Sequence, residues 1–500
     1  MVTLAFTLSV LLFVGGRAFD SWVDRTELPV TLAETSTEVR DRNGVLLRAY
    51  PVGAGIWRLA VHPDQVDADY LSMLVRYEDK RFWTHPGVDP WAFVRAVGQA
   101  VWNGRAVSGG STLTMQVARL LEDGSTGRWQ GKLRQARLAL ALERRLSKQQ
   151  ILTLYLTHAP YGGNLEGIRA ATLAWFGKEP RRLTASESAL LVALPQSPER
   201  RRPDRAPDIA RAARDRVLSR MARHDVIDAD EMLMAQAEAV PHRMVPFAQL
   251  APHLADRMLA ADPETQRFDL SIDAGVQGRM EQSLRDATRQ HGARLSAAMI
   301  VADHQTGEVI ASVGSPGYRD TQRLGFVDMT QALRSPGSTL KPLIYGLAFD
   351  EGLVHPETLI HDGPVNFDGY APQNFDGEFR GDVRVREALQ LSLNIPVVKL
   401  TNELGAPRIM SALRRAGAAP KLPGGTPGLA IALGGVGVTL QDLVQLYVGL
   451  AAGGQGPDLS LRLEEAGAEQ GRLISDVAAW QLMDILRGLA PPQGARARVL

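Results

Sequence analysis

The segment RYEDKRFWTHPGVD, residues 76–89, gathers carboxylates, cations and aromatic rings in one short stretch. A carboxylate such as Glu78 can take the proton of an attacking sugar hydroxyl, while nearby cations can hold a departing pyrophosphate. Glu78 is therefore a candidate catalytic base. A cluster of this kind is also, and more often, a solvated ion-pair surface. The accompanying substrate-binding candidates are Asp79, Lys80, Arg81 and His85.

Two later segments could contact the same substrate. GGSTLTMQ, residues 109–116, has glycines and hydroxyls that can present backbone N–H groups to phosphate oxygens, but such residues are also ordinary in loops. GKLRQARLALALERR, residues 131–145, interleaves basic and apolar residues as a helix does, and its cations could simply be solvated. The candidates in these segments are Ser111, Thr112, Gln116, Lys132, Arg134 and Gln135.

A second set of candidates suits nucleophilic catalysis. In SPGSTLKP, Ser338 and Lys341 lie three residues apart, which places them on one face of a helix. A serine hydroxyl attacks only when a base removes its proton, and a desolvated lysine can be that base. Ser392 and Asn394 add a Ser-x-Asn element further along. Because Ser-x-x-Lys is a common pattern, many of its matches are only surface residues.

Helices must position these groups in the first half of the chain. The pattern is helical from about residue 32 to 193, with glycine-rich loops between the helices. Asp89-Pro90 predicts a helix start, and valines at helical spacing continue it through Val101. Ser147 to Gln150 has the capping-box form and predicts another helix start.

The second half has a different character. The Arg-, Ala- and Pro-rich stretch between Pro195 and Pro252 predicts a polar boundary with short amphipathic helices. Ala297–Ala302 and Val309–Val313 then predict two strands of a hairpin. We therefore expect a mixed domain of sheet and helices after a linker.

Composition limits the classes of function. The chain has 500 residues, 45% hydrophobic and 22% charged, so it is globular and too long for one core. A net charge of +1 argues against a nucleic-acid partner. The absence of cysteine excludes disulfides, thiolate zinc sites and cysteine nucleophiles.

The N-terminal run VTLAFTLSVLLFV, residues 2–14, carries no charge and predicts a membrane-directed segment. A cleaved signal peptide and a short anchor both fit it. We favour an anchor, with everything after Asp20 outside the cytoplasm.

Taken in order, with ILTLYLTHAPYGGNLEGIRAA at residues 151–171, the first group of segments resembles the glycosyltransferase family 51 domain of class A penicillin-binding proteins. The resemblance implies a lysozyme-like helical fold that polymerises lipid II by inverting transfer and releases undecaprenyl pyrophosphate. By resemblance, Glu78 is the essential carboxylate and Lys132 is a basic residue of the third motif. The residues that match the donor-side loop are Ser111, Thr112 and Gln116.

One position departs from that family. Gln135 stands where most members have a second glutamate, and an amide cannot exchange protons at working pH. Either this group only orients the substrate, or this branch transfers more slowly. Gln135, Met115 and the run APYGGNLEGIRAA resemble the 1C branch of the family.

The second set resembles the serine D,D-transpeptidase domain of the same proteins, whose signature combines Ser-x-x-Lys, a Ser-x-Asn element and Lys-Thr-Gly. The resemblance implies an acyl-enzyme at Ser338, with Lys341 as base and Ser392 and Asn394 relaying protons and holding the peptide. The implied partners are lipid II with the growing glycan strand, peptide stems ending in D-Ala-D-Ala, β-lactams and the membrane.

No lysine of the chain begins Lys-Thr-Gly or Lys-Ser-Gly. We expect the chain to be truncated about where that motif would begin. If the chain is complete, the transpeptidase domain lacks a wall of its pocket, and a cell-wall scaffold with an inactive transpeptidase is the alternative. A glycan hydrolase is a third option, although hydrolysis usually pairs two carboxylates.

The predicted organisation is multidomain: a membrane segment at 1–19, a mainly α glycosyltransferase domain at 32–205, a linker at 206–268 and an incomplete α/β transpeptidase domain at 269–500. The bacterial inner membrane, with periplasmic catalytic domains, is the expected location. No firm cofactor and no metal site are expected. A divalent cation, Mg²⁺ or Mn²⁺, beside the pyrophosphate is left open.

Overall fold

The computed structural model describes residues 2–31, 33–91, 111–122, 129–464 and 471–490. The chain divides into two compact units. Unit 1 contains residues 1–38 and 49–248, and unit 2 contains residues 39–48 and 249–500. The helix predicted after Asp89-Pro90 lies outside the described residues from position 92 onwards, as do the glycines at 109 and 110.

Unit 1 is mainly helical, as predicted. Its described helices are α1 (Val2–Asp24), α2 (Ala68–Glu78), α3 (Leu113–Leu121), α4 (Trp129–Arg145), α5 (Lys148–His158), α6 (Ile168–Phe176), α7 (Ala185–Ala193), α8 (Pro207–Ala222) and α9 (Ala229–Ala237).

The described strands of the whole chain are short. They are β1 (Thr37–Arg40), β2 (Leu46–Tyr50), β3 (Trp57–Arg58), β4 (Leu165–Glu166), β5 (Arg267–Asp269), β6 (Met299–Ala302), β7 (Val309–Val313), β8 (Leu359–Asp362) and β9 (Gly381–Arg384). In unit 1, β3 and β4 form a parallel pair. In the sheet that carries β1, the strand order is β2-β1-β5.

Side-chain caps fix where the helices of unit 1 begin. Asp67 accepts the backbone N–H groups of Asp69 and Tyr70 at the start of α2. Ser147 and Gln150 bond each other's backbone N–H groups at the start of α5. This confirms the capping box read from the sequence.

Helix packing places the end of α2 inside unit 1. Met73 and Leu74 of α2 are buried, and α2 contacts both α7 and α8. Helix α8, which lies in the segment expected to link the domains, packs along α7. Its Val217 and Leu218 are fully buried. Glu78, the last residue of α2, is therefore carried by a well-packed helix.

Helix α1 contains the predicted membrane segment. Phe13, Phe19 and Trp22 on it are exposed, and the Arg137 guanidinium of α4 lies 4.7 Å from the centre of the Trp22 ring. Across the residues that the structure describes, no helix combines the length and the hydropathy needed to cross a membrane.

Unit 2 mixes helices with small sheets. Its described helices are α10 (Pro252–Ala261), α11 (Ala274–Arg289), α12 (Lys341–Asp350), α13 (Val385–Gln390), α14 (Asn394–Leu404), α15 (Ala406–Arg415), α16 (Leu440–Ala451) and α17 (Asp476–Arg487). Strands β6 and β7 pair antiparallel, which confirms the predicted hairpin. Strands β8 and β9 form a second antiparallel pair.

One apolar core holds α12 and α14 together. Leu343 and Ile344 of α12 and Val397 and Val398 of α14 are buried in the same cluster, beside Leu482 of α17. Because burial of such side chains contributes roughly 1.5–3 kcal/mol each, both helices are firmly placed. Their first residues, Lys341 and Asn394, are therefore held in fixed positions.

Candidate active sites

The Glu78 carboxylate at the end of α2 is half-buried and held by two amides. Gln116 Nε2 of α3 donates to Glu78 Oε2 at 2.9 Å, and Gln196 Nε2 donates to Glu78 Oε1 at 2.7 Å. In the described part of the chain no cation lies within ion-pair distance of Glu78. The two amides fix the position of the carboxylate without forming an ion pair with it.

Arg201 fixes the orientation of one of these amides. Its Nη1 donates to Gln196 Oε1 at 3.1 Å, so the Gln196 NH₂ group must face Glu78. Burial lowers the pKa of the Arg201 guanidinium, and the nearby charge of Arg216 lowers it further. Gln196 and Arg201 were absent from the sequence prediction, because LPQ at 194–196 and the arginine run carry no distinctive pattern.

Buried phenols form the wall behind Glu78. Burial, together with the charge of Glu78, raises the pKa of Tyr155 well above its ordinary value. Tyr70 is buried as well, and its hydroxyl lies 3.1 Å from that of Tyr161. These phenols therefore stay protonated, which leaves Glu78 as the base of this wall.

Asp79 and His85 bond each other inside the protein. Their Oδ2 and Nε2 atoms are 2.9 Å apart, and the same Asp79 oxygen accepts the Leu113 N–H at 2.9 Å. Both side chains are buried. They therefore hold the start of α3, where Thr112 caps the helix, and position the loop that follows Glu78.

The loop after Glu78 is clamped against α4. Thr112 Oγ1 donates to the Gly87 carbonyl at 2.6 Å. Gly87 has a φ of 103°, and a Cβ there would lie 2.6 Å from the Ala139 carbonyl oxygen. Lys148 Nζ donates to the His85 carbonyl and to Glu143 Oε1, both at 2.7 Å. Because of its φ and of the nearby Ala139 carbonyl, position 87 accepts only glycine.

The cations predicted to bind substrate have partners other than Glu78, or are exposed. Lys80 Nζ lies 3.0 Å from His224 Nε2, and Arg81 pairs with Asp89 through both of its carboxylate oxygens. On α4, Arg134 Nε donates to Glu122 at 2.8 Å, whereas Lys132 is exposed. Among the described contacts, none joins these four side chains to Glu78.

The remaining two candidates of unit 1 differ in their exposure to solvent. Ser111, just before α3, is exposed. Gln135 of α4 is buried at 7% exposure. Glu78 and Gln116 are thus brought into contact, and so are Asp79 and His85, which pack beside Thr112.

Asp79, the carboxylate next to Glu78 in the chain, is engaged inside the protein. Asp79 is buried, and one of its oxygens already accepts two N–H bonds. Among the described residues there is no group of three or more histidines or carboxylates that could hold a metal ion.

In unit 2, Ser338 and Lys341 share one tight turn. Residues 337–340 form a 3-10 helix that runs directly into α12 at Lys341. Ser338 is exposed, whereas Lys341 is buried, with only 1% of its surface exposed. Three residues per turn places the hydroxyl and the amine on one side of the chain.

Lys341 is surrounded by neutral acceptors. Its Nζ lies within hydrogen-bond distance of four acceptors, which its N–H groups share. These are the Ser392 carbonyl oxygen at 2.5 Å, Ser392 Oγ at 3.1 Å, the Leu393 carbonyl oxygen at 3.2 Å and Asn394 Oδ1 at 2.8 Å. Burial lowers the pKa of Lys341 to about 8. The Ser-x-x-Lys and Ser-x-Asn elements, separated in sequence, thus meet at one amine.

Ser392 has a φ of 55°, the left-handed region that non-glycine residues avoid. Its backbone follows α13, where Ser392 N donates to the Leu389 carbonyl and Leu393 N to the Ala388 carbonyl. This strained turn directs the Ser392 carbonyl and hydroxyl to the same amine. Such a conformation costs of order 1–3 kcal/mol and persists where the surroundings enforce it.

Several supporting residues of this site have no signature in the sequence. Asn374 Oδ1 accepts the Asn394 N–H at 2.8 Å, and Gln373 O accepts from Asn394 Nδ2 at 2.7 Å. Ser335 Oγ donates to the Gly434 carbonyl at 2.7 Å just before the Ser338 turn. Their separation along the chain hid these contacts from sequence reasoning.

The chain is similar to known families over both units. A transglycosylase model matches residues 44–222, and a penicillin binding protein transpeptidase domain model matches residues 297–499. Glu78 and Gln116 lie in the first match, and Ser338, Lys341 and Asn394 lie in the second.

Three relatives span both parts. The chain is 41% identical to penicillin-binding protein 1C of Escherichia coli strain K12, over 98% of this chain and 63% of that protein. It is 30% identical to penicillin-binding protein 1F of Bacillus subtilis strain 168 (85% and 62%) and 31% identical to penicillin-binding protein 1B of Vibrio cholerae (81% and 54%). The chain thus spans less than two thirds of the length of these relatives. With both domain types in this order, the chain belongs to the class A penicillin-binding proteins.

Proposed function

We propose that this protein synthesises peptidoglycan, polymerising lipid II at Glu78 and transferring peptide acyl groups at Ser338. The observation that supports the first activity is the Glu78 carboxylate, held by Gln116 and Gln196 with no cation paired to it in the described part of the chain. The second rests on Lys341, a buried amine with only neutral acceptors.

In glycosyl transfer, Glu78 takes the proton of the acceptor 4-hydroxyl as that oxygen bonds to the anomeric carbon of the lipid-linked strand. The bond from that carbon to the pyrophosphate breaks with inversion, and undecaprenyl pyrophosphate leaves. Exposed cations such as Lys132 are suited to hold the departing charge. Each step is assigned to groups of this chain, and a divalent cation beside the pyrophosphate stays a prediction.

In acyl transfer, neutral Lys341 takes the Ser338 proton while Ser338 Oγ attacks the carbonyl of the penultimate D-Ala. The terminal D-Ala leaves as an amine after receiving a proton, and an acyl-enzyme ester remains. An amine of a second peptide stem then displaces Ser338. A β-lactam carbonyl would acylate the same serine, because its amide bond opens in the same way.

Glu78→Gln tests the first activity. The amide keeps the side-chain shape but cannot accept the hydroxyl proton, so polymerisation of labelled lipid II by detergent-solubilised protein should fall at least about a hundredfold. Glu231→Gln, an exposed glutamate of the same unit, is the matched control and should polymerise normally. Strands made by Glu78→Gln at the wild-type rate would exclude this role.

Ser338→Ala tests the second activity. We expect stable labelling of the wild-type protein by a fluorescent penicillin and loss of that label in Ser338→Ala, because the acyl-enzyme needs the hydroxyl oxygen. Ser411→Ala, which changes an exposed serine of α15 in the same unit, should still be labelled. The alternative is a scaffold whose acyl-transfer unit is inactive. No labelling of the wild-type protein would support that scaffold.

We also propose that α1 anchors the protein at the bacterial inner membrane, with both units in the periplasm. Exposed Phe13, Phe19 and Trp22 support this, since aromatic side chains favour the membrane interface. A lipid-linked substrate would require an active site close to the bilayer.

A further inference from the structure

A buried carboxylate lies behind the second site without touching its catalytic residues. Asp362, the last residue of β8, is fully buried. Its oxygens accept Asn374 Nδ2 at 3.0 and 2.9 Å and the Arg380 N–H at 2.8 Å. The loop at 363–380 joins β8 to β9. Through Asn374 and Arg380, Asp362 fixes this loop to the end of β8.

These contacts leave Asn374 only one orientation. Its Nδ2 also donates to the Glu378 carbonyl at 2.8 Å, so every group on that side is an acceptor. The Asn374 Oδ1 atom must therefore face the Asn394 N–H, from which it accepts at 2.8 Å. That N–H belongs to the first turn of α14, whose donors have no partner inside the helix.

The neighbouring residue orients the Asn394 side chain. The Gln373 carbonyl accepts Asn394 Nδ2 at 2.7 Å, which turns Asn394 Oδ1 towards Lys341 Nζ at 2.8 Å. Residues 373 and 374 thus hold both the backbone and the amide of Asn394. Without them the amide could rotate and present its NH₂ group to the lysine.

We propose that Asp362 and Asn374 are positioning residues for acyl transfer at Ser338. Asp362 fixes the Asn374 amide, and residues 373 and 374 hold Asn394 so that its oxygen faces the Lys341 amine. The inference rests on the proposed acyl-transfer activity. Neither residue contacts Ser338, and both act through Asn394.

Exchanging the two partners gives a decisive set of variants. Asn374→Asp places two carboxylates in contact, and Asp362→Asn places an NH₂ group against another NH₂ group. The double variant Asp362→Asn/Asn374→Asp restores a donor and an acceptor between the two side chains, and one oxygen at position 374 can still accept the Asn394 N–H. Its other oxygen faces the Glu378 carbonyl, so the rescue is partial. Asp368→Asn, an exposed carboxylate in the same loop, is the matched control.

Two measurements test the proposal on the full chain. The rate of labelling by a fluorescent penicillin should fall at least about tenfold in each single variant and recover in part, by at least about threefold, in the double variant. Titration of ¹³C-labelled lysines should show the Lys341 transition moving upward by about one pH unit in the single variants, since a released loop admits water to the amine. The chain has seven lysines, and Lys341→Met identifies the resonance.

The outcomes separate the two proposals. Slow labelling with a shifted Lys341 titration, both partly reversed in the double variant, supports positioning. Single variants with wild-type labelling and titration overturn it, and so does slow labelling with lower thermal stability and an unmoved titration. A wild-type protein that takes no label refutes the proposed acyl transfer, and the Lys341 titration then decides the positioning role alone.

Discussion

Both candidate bases are oriented by neutral amides. Gln116 and Gln196 hold Glu78, and Asn394 contacts Lys341. An amide can orient a titrating group without supplying a charge that would move its pKa strongly. Lys341 accordingly owes its lowered pKa to burial, whereas a carboxylate beside it would have raised that pKa.

The pKa of Lys341 predicts how acylation depends on pH. Only the neutral amine can accept the Ser338 proton, and its pKa is about 8. Below that pH the neutral fraction falls about tenfold per pH unit, so the labelling rate should rise from pH 6 to 8 and level off above. Penicillin labelling at pH 6, 7, 8 and 9 measures this. A rate that does not change over this range would show that Lys341 is not the base.

The stability of the folded protein also rises with pH through Lys341. A folded-state pKa below the ordinary 10.5 means that the unfolded chain binds more protons between about pH 8 and 10.5. Through this group, stability rises with pH across that window. Below about pH 8 the amine is charged in the folded state as well, and the full cost of burying that charge lowers the stability.

The residues with distinctive types and spacing could be predicted, and their partners could not. Glu78 with Gln116, and Lys341 with Ser392 and Asn394, lie in recognisable motifs and are in contact in the structure. Gln196, Arg201 and Asn374 are ordinary polar residues in the sequence. They acquire a role only because distant segments pack beside the motifs.

At the scale of elements, local chemistry predicted helix starts and one hairpin. The capping box at Ser147 and the strands β6 and β7 depend on neighbouring residues, which a sequence displays directly. The 3-10 turn at Ser338 depends instead on a remote glycine loop. Gly434 has a φ of 94°, and a Cβ there would lie 2.5 Å from Gly337 N.

Gly434→Ala should therefore disturb the Ser338 turn. The methyl group has no room against residues 335–337, and the backbone conformation disfavours alanine. We expect a loss of about 1–3 kcal/mol in the free energy of unfolding and at least about tenfold slower penicillin labelling. Chemical denaturation and labelling kinetics measure the two effects.

Gly424→Ala is the control for that variant, because a Cβ at Gly424 meets no atom within 4 Å. It should behave as the wild type. If Gly434→Ala also kept wild-type stability and labelling, the glycine loop would have no part in shaping the turn.

At the scale of the whole molecule, the chain passes between its two units more than once. Residues 39–48 belong to unit 2, although the residues on either side of them belong to unit 1. Composition could indicate two domains and a polar segment between them. It could not indicate this short excursion, because strand pairing over more than two hundred residues leaves no local pattern.

Two units with separate bases predict two separable activities. Glu78 lies in unit 1, and Ser338 with Lys341 lies in unit 2. Loss of one base should leave the other reaction intact.

The most direct test measures polymerisation of lipid II and penicillin labelling in the same samples of wild type, Glu78→Gln and Ser338→Ala. We predict that Glu78→Gln makes no glycan strands but is labelled normally, and that Ser338→Ala makes strands but takes no label. Glycan strands produced by Glu78→Gln at the wild-type rate would contradict the central claim, that Glu78 is the base of glycosyl transfer.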